Sequence, residues 1–241
     1  MKELKLISNG KRLDGRRLDE MRPFEVKAGI LDRAEGSGSF RTGNTYAIAA
    51  VYGPREMHPR HNQDPTKATL RCRYNMAPFS TTERVRPGPS RRSVEISKVI
   101  RGAFESSVFL EEYPKSVIDV FIEILGADAS TRCAGINAAA VALADAGIPM
   151  KDMISSCSAG KVAGHLILDV SGSEDTEGEV DIPIAYSCRT GQITLLQMDG
   201  IIPKEEFTKA MHMAVGGCKQ IYEAQKKALK ERFKGVQVES E

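Results

Sequence analysis

No stretch of this chain stays apolar for anything near the ~20 residues that a membrane span needs. Its first residues, MKELKLISNG, lack the apolar core of a signal peptide. A membrane-embedded or exported protein is therefore a poor fit, and a cytoplasmic one is expected. The five cysteines, Cys72, Cys133, Cys157, Cys188 and Cys218, are odd in number and never fall at C-x-x-C spacing. A disulfide framework or a zinc site needs paired or clustered ligands, so these read as small buried hydrophobes in a reducing compartment. There is no G-x-S-x-G element, and His58, His61, His165 and His212 have no evident partner serine. That removes support for a Ser-His-Asp hydrolase.

Net charge is scarce as well: 34 Lys+Arg against 32 Asp+Glu leave +2 over 241 residues. With 41% hydrophobic and 27% charged residues, the chain falls in the globular range and is long enough to bury a sizeable core in one domain. The charges are segregated. Arg84, Arg86, Arg91, Arg92, Lys98 and Arg101 share their stretch with one acid, Glu95, whereas Glu174, Asp175, Glu177, Glu179 and Asp181 share theirs with no base. Each run reads as a solvated face by itself. Together they matter only if the fold brings them to one place.

Hydrophobic periodicity predicts an α+β fold, with runs of strands followed by helices. After a polar, basic arm over about 1–22, with a turn at Asp14-Gly15-Arg16-Arg17, strands are predicted at Phe24–Ala28, Thr45–Tyr52, Ala68–Met76 and Val117–Leu125. Gly36-Ser37-Gly38-Ser39 has the composition of a loop or hairpin, and Gly53–Thr66 that of a polar loop. Ser90 is placed to cap a helix whose apolar spacing persists to Tyr113-Pro114. An alanine-rich segment opens at Ser130-Thr131-Arg132 and stops at Gly147-Ile148-Pro149. Further strands are predicted at Ile154–Val162, His165–Val170, Glu179–Ser187 and Gln192–Met198. Pro203 then starts a long final helix to about residue 233, and 236–241 should fray.

Three constellations could carry chemistry. Ser130, Thr131 and Arg132 stand at a helix start, where free backbone N–H groups and a partial positive charge suit an anion; ordinary capping by Ser130 is the competing reading. Arg91 and Arg92 open another helix against its dipole, which calls for a bound anion or for an ion pair with Glu95. Arg60 and His61, with Arg71 and Arg73, add cations suited to a nucleic-acid backbone, though no aromatic cluster interleaves with them. His58 and His61 read as loop-surface residues rather than a metal pair. Asp175 and Asp181 could hold a hard divalent cation or divide acid and base roles, or simply belong to a solvated acidic loop.

Ordered segments along nearly the whole chain resemble the RNase PH family, and within it the catalytic ring subunits of the archaeal exosome. They include Arg12-Leu13-Asp14-Gly15-Arg16, Gly43-Asn44-Thr45, Met57-His58-Pro59-Arg60-His61, Met76-Ala77-Pro78-Phe79-Ser80 and Pro89-Ser90-Arg91-Arg92-Ser93-Val94-Glu95-Ile96. Gly126-Ala127-Asp128-Ala129-Ser130-Thr131-Arg132, Asp145-Ala146-Gly147-Ile148-Pro149-Met150 and Glu174-Asp175 with Glu179-Val180-Asp181 complete the set. The resemblance implies a single RNase PH-like domain over 1–241, with a βαβα core like that of ribosomal protein S5 domain 2. It also implies a phosphate-dependent 3′→5′ exoribonuclease that releases nucleoside diphosphates from single-stranded RNA. Carried over by position, Ser130, Thr131 and Arg132 would hold inorganic phosphate as co-substrate. Arg92, with Arg91, would neutralise the scissile phosphate, and Arg60, with His61, would grip RNA upstream. Asp175 would be the general acid, and Asp181 would hold Mg2+ or Mn2+ with it or assist the proton transfer. Ser130 departs from the glycine common in bacterial members. The implied partners are an inactive RNase PH-like paralogue, alternating with this chain in a hexameric ring, and RNA-binding cap subunits.

Two alternatives predict different behaviour. A non-catalytic RNA-binding ring subunit would be expected to lack Arg132 or the acidic pair, all of which are present. A metal-dependent hydrolytic exoribonuclease would leave Ser130-Thr131-Arg132 without a task and would release monophosphates. Because phosphorolysis exchanges a phosphodiester for a phosphoanhydride, the reverse addition of untemplated nucleotides from diphosphates is also expected.

Overall fold

The computed structural model describes residues 6–8 and 10–234; the expected fraying of 236–241 lies outside them. A two-stranded ribbon, β1 (Ile7–Ser8) and β2 (Lys11–Arg12), precedes two five-stranded sheets. The first has the order β3 (Phe24–Ala28), β4 (Gly36–Thr42), β5 (Thr45–Glu56), β7 (Ser116–Gly126), β6 (Thr69–Met76). All its neighbours are antiparallel except β6 and β7. The second has the order β11 (Gln192–Leu196), β10 (Val180–Ser187), β8 (Ile154–Val162), β9 (His165–Leu168), with β12 (Asp199–Gly200) also on β10.

Helix α2 (Thr131–Asp145) packs against β4, β5 and β7 of one sheet and β8 and β10 of the other. Its small side chains explain how it fits. Ala134, Ala138, Ala139, Ala140 and Ala142 are fully buried, and at these positions the small side chains let two sheets close on one helix. Helix α1 (Arg91–Glu105) lies on β6 and reaches β11, and α4 (Lys204–Arg232) covers β8, β10 and β3. The strand faces toward these helices carry the core: Ala47, Ala49 and Val51 on β5, Val120, Ile122 and Ile124 on β7, and Ile182 and Ile184 on β10.

The α+β class and the strand-to-helix order follow the sequence reading, with four corrections. Gly36-Ser37-Gly38-Ser39 is not a loop but the first half of β4, where the missing side chains leave room for α2. A Cβ on Gly36 would run into the Ala142 carbonyl and Ala146, and one on Gly38 would lie 2.7 Å from the Ala138 carbonyl. β5 continues to Glu56, four residues into the expected polar loop, because Arg55 and Glu56 still pair with Val117 and Ser116. α1 ends at Glu105 rather than near Tyr113. Residues 107–109 leave the helix to pair with the segment after α2, through Lys151 N to the Ser107 carbonyl (2.7 Å) and Phe109 N to the Pro149 carbonyl (3.0 Å). β9 stops at Leu168 because Asp169 turns to φ +56°.

Candidate active site

One cleft, of about 830 Å³, opens where the two sheets meet, and the starts of α1 and α2 both face it. Ser90, Arg92 and Ser93 come from α1, Ser130, Thr131 and Arg132 from α2, and Asp175 and Asp181 from the opposite wall. The basic and acidic runs of the sequence are thus brought face to face. Arg86 joins the basic side from the loop before α1.

The two helix starts are built differently. At α1, Ser90 caps as expected: its Oγ accepts from Ser93 N at 3.0 Å, and Ser93 Oγ accepts from Ser90 N at 2.8 Å. Arg92 lines the cleft and Arg91 stays exposed outside it. Among the described residues neither has a carboxylate within ion-pair distance; Glu95, the expected partner, stands 3.7 Å from Arg132 instead. At α2 the capping expectation fails. Ala129 and Ser130 both sit in the left-handed region, at φ +57° and +52°, and no side chain caps the helix. The Ser130 hydroxyl points away, 2.8 Å from Ser158 Oγ and donating to the Val170 carbonyl at 3.0 Å. Those two bonds hold a serine in a backbone region that glycine enters without strain, which accounts for the departure from the bacterial residue. The first amides of α2 are left free of side-chain caps at the cleft, with no acid in the first turn to compete for an anion.

The turn leading to α2 is tied down from three sides. Asp128 N donates to Thr45 Oγ1 (3.0 Å), Thr45 Oγ1 donates to the Ala129 carbonyl (2.8 Å), and Arg22 Nη1 donates to the Asp128 carbonyl (2.6 Å). Asp128 Oδ1 accepts from Gly172 N at 3.0 Å, at the start of the short helix α3 (Gly172–Glu177). Thr131 Oγ1, itself buried, accepts from Tyr74 OH at 2.9 Å. The anion-facing turn and α3 therefore move as one piece.

Asp175 is carried by α3, not by a loop or strand end as its sequence context suggests, because Ser171 and Glu174 form a capping box that closes the turn. The neighbouring Glu174 is buried and receives the Arg12 guanidinium on both oxygens. Burial opposes its ionisation, but Arg12 and the Ser171 amide and hydroxyl more than offset it and pull its carboxyl down to about 2. Arg12 also donates to the Leu168 and Asp169 carbonyls, at 2.5 and 2.7 Å. The turn expected at Asp14-Gly15-Arg16-Arg17 is present, closed by Gly15 N on the Arg12 carbonyl at 2.9 Å, and Arg12 just before it clamps the helix bearing Asp175. Nothing in its local pattern announces a partner 162 residues away.

Asp181 begins β10, directly across the ladder from Asp199, a third acid of the cleft that the sequence reading passes over. Burial pushes the Asp181 carboxyl up to about 7; Asp175 and Asp199 add to the shift and Arg132 works against it. Its Oδ1 is buried with no hydrogen-bond partner. An orphaned carboxylate oxygen facing a second carboxylate suits a hard divalent cation that completes its shell with water and phosphate oxygens. Among the described residues no group of three or more His, Cys, Asp or Glu is close enough to enclose a metal.

Arg60 and His61 are not in this cleft. They form a single 3-10 turn between β5 and β6, exposed, with Arg60 Nε 3.4 Å from Glu56. That turn precedes β6, whose other end, at Met76, borders the cleft. The eight-residue strand alone spans roughly 26 Å.

Two family descriptions match the chain: 3′ exoribonuclease family, domain 1, over residues 20–149, and domain 2 over residues 152–217. The chain is 56% identical to the exosome complex component Rrp41 of Pyrococcus furiosus over 239 residues, 99% of this chain and 96% of that protein. It is 56% identical to the Rrp41 of Methanopyrus kandleri over 232 residues, 96% of this chain and 97% of that protein. Among solved structures, rice Rrp46 superposes with a TM-score of 0.82 at 24% identity, covering 91% of this chain and all of that one. That last likeness speaks for the fold.

Proposed function

The chain belongs to the RNase PH family of 3′ exoribonucleases, and from that premise we propose that it shortens single-stranded RNA by phosphorolysis, as the catalytic component of an exosome. One observation carries the reading: the cleft presents two separate helix starts, each carrying an arginine, opposite a carboxylate pair. Hydrolysis needs to hold one phosphate, the scissile one. Phosphorolysis must hold two anions against their mutual repulsion, and the arginines of both starts with the uncapped amides of α2 meet that need.

In this reading inorganic phosphate sits at the start of α2, on the free amides with Thr131 and Arg132, the turn at Ser130 being held open by its own hydroxyl. The scissile phosphate is met by Arg92, with Arg91 further along the RNA backbone. An oxygen of inorganic phosphate attacks phosphorus, the bond from phosphorus to the 3′-oxygen of the penultimate nucleotide breaks, and that oxygen takes up a proton. The terminal nucleotide leaves as a 5′-diphosphate. Asp175 stands exposed on the cleft wall, where it can reach the leaving oxygen and donate. Burial, and then Asp175, raise the Asp181 carboxyl to about 7, so Asp181 holds a proton near neutral pH and supplies, through Asp175, the one that the leaving oxygen takes up. Where a divalent cation takes the place of that proton, Asp175 and Asp181 would hold Mg2+ or Mn2+, which would neutralise charge on the reacting phosphate oxygens.

Assembly is part of the proposal. β3 carries Glu25 and Lys27 along its edge and β6 carries Arg71 and Arg73, whereas β11 and the segment after it expose Ile193, Leu196, Met198 and Ile201. A largely apolar edge invites a partner chain, which suits an inactive RNase PH-like paralogue in a hexameric ring in the cytoplasm. Arg60 and His61, distant from the cleft, would then grip RNA upstream of its end, with cap subunits feeding the ring.

The test is product identity. Uniformly labelled single-stranded RNA is incubated with this chain, alone and with its ring partner, with and without inorganic phosphate. Nucleoside diphosphates that appear only with phosphate are expected, together with primer extension when diphosphates replace phosphate. Monophosphates released without phosphate would overturn the reading in favour of hydrolysis.

A further inference from the structure

Glu95, the lone acid of the basic stretch, lies where three elements of the cleft meet. Its Oε1 stands 3.7 Å from Arg132 Nη2 on α2 and accepts a 3.2 Å hydrogen bond from Gln197 Nε2. Gln197 is in turn fastened to β10, its amide donating to the Pro183 carbonyl at 3.2 Å, two residues beyond Asp181. Both Arg132 and Gln197 line the cleft, whereas Glu95 stands behind them.

The Arg132 guanidinium is otherwise unengaged: its Nε is buried and has no hydrogen-bond partner. A free arginine loses rotamer entropy when a ligand fixes it. Holding one edge of the group beforehand removes part of that loss and turns the remaining donors toward the start of α2. The negative charge of Glu95 works the other way, since it repels an arriving phosphate. Its side chain is 51% exposed, so water screens that longer-range repulsion more than it does the 3.7 Å ion pair with Arg132.

We propose that Glu95, steadied by Gln197, is a positioning residue that aims Arg132 at inorganic phosphate. The proposal rests on the phosphorolytic reading and adds residues to the same site. The contact is an ion pair, too long for a hydrogen bond, so charge is the operative property and Glu95→Gln, which removes it, should lose what Glu95→Ala loses.

Affinity for inorganic phosphate is measured by calorimetric titration of the full chain, in its ring where activity requires it. The KM values for phosphate and for RNA are measured alongside. Glu95→Ala is expected to weaken phosphate binding and raise its KM about threefold, the scale of one partly exposed ion pair, with the KM for RNA unchanged. Glu95→Gln should lose as much, and Gln197→Ala should fall between wild type and these two. Unchanged or tighter phosphate binding in Glu95→Ala would overturn the proposal, as would wild-type phosphate binding in Glu95→Gln. Glu95 is half exposed and its removal leaves the core untouched; a melting curve matching wild type separates this effect from unfolding. A wild-type protein that bound no phosphate and degraded RNA without it would overturn the phosphorolytic reading, and this proposal with it.

Discussion

Arg22 and Asp169 form a buried pair closed by three hydrogen bonds: Arg22 N and Nε to Oδ2, at 2.8 and 2.9 Å, and Nη2 to Oδ1 at 2.7 Å. The remaining nitrogen of the same guanidinium reaches the Asp128 carbonyl. One side chain thereby joins the strand end after β9 to the turn that sets up α2, and Asp128 joins that turn to the helix of Asp175.

Arg22→Ala leaves Asp169 buried with only the 3.5 Å contact of Arg16 Nη1 to offset its charge, a loss of up to about 3–5 kcal/mol of stability. Arg22→Lys does not restore the fork, because an ammonium cannot serve both Asp169 oxygens and the Asp128 carbonyl in one plane. Both variants should melt well below wild type and, at temperatures where they remain folded, show a raised KM for phosphate. Melting temperature and phosphate KM measured on the same preparations check this. A lysine variant equal to wild type in both would refute it.

The strands of the first sheet other than β4 are legible from their alternation, and α2 and α4 from their apolar spacing, because those signals are written in consecutive residues. Arg92, Ser130, Thr131, Arg132, Asp175 and Asp181 are legible as a site because each lies at a charged or capping position out of keeping with a simple solvated face. Arg12, Arg22, Asp169 and Glu174 are not. Each is an ordinary charged residue until the fold closes over it, and their partners lie more than a hundred positions away. Gly36 and Gly38 mislead for a related reason: glycine marks a turn locally, but here it marks the place where a helix backbone approaches a strand.

That close approach gives a second prediction. Gly38→Ala places a methyl group 2.7 Å from the Ala138 carbonyl and against Val141. The sheet and α2 must then separate, at a cost of about 1–3 kcal/mol. Gly102 on α1 meets nothing within 4 Å, so Gly102→Ala should instead stabilise by roughly 0.5–1 kcal/mol through helix propensity. Denaturant midpoints of the two variants should move in opposite directions. A Gly38→Ala midpoint at or above wild type would show that α2 does not pack on β4 as described.

Glu174 sets the acid limit of the fold. Its carboxyl lies at about 2 in the folded chain against an ordinary value of 4.5, so between those values the unfolded chain binds the extra proton. The stabilisation is fully present above about pH 4.5 and is lost as the pH falls toward 2. Glu174→Gln should be less stable than wild type at pH 7 and should lack this component of the acid-induced loss. Unfolding free energies of the two proteins measured from pH 3 to 7 should therefore converge at the acid end. Parallel curves would show that the Arg12 clamp contributes no charge-dependent stability.

Asp181 has the opposite sign. Its carboxyl is raised to about 7 from 3.8, chiefly by burial and then by Asp175, so the folded chain holds a proton that the unfolded chain has released. In the absence of a divalent cation, stability should fall as the pH climbs from about 4 to about 7 and then level off. Asp181→Asn removes the penalty. At pH 8 in a chelating buffer it should melt higher than wild type by roughly 3–8 °C, and at pH 4 the difference should vanish. Adding Mn2+ should raise the melting temperature of wild type at pH 8 and leave Asp181→Asn unmoved, because a cation between the carboxylates relieves the repulsion that the asparagine has already abolished. The variant should nonetheless be deficient in RNA degradation. Melting curves at the two pH values, with and without Mn2+, decide the matter. Identical responses of the two proteins to Mn2+ would mean that Asp181 holds no metal.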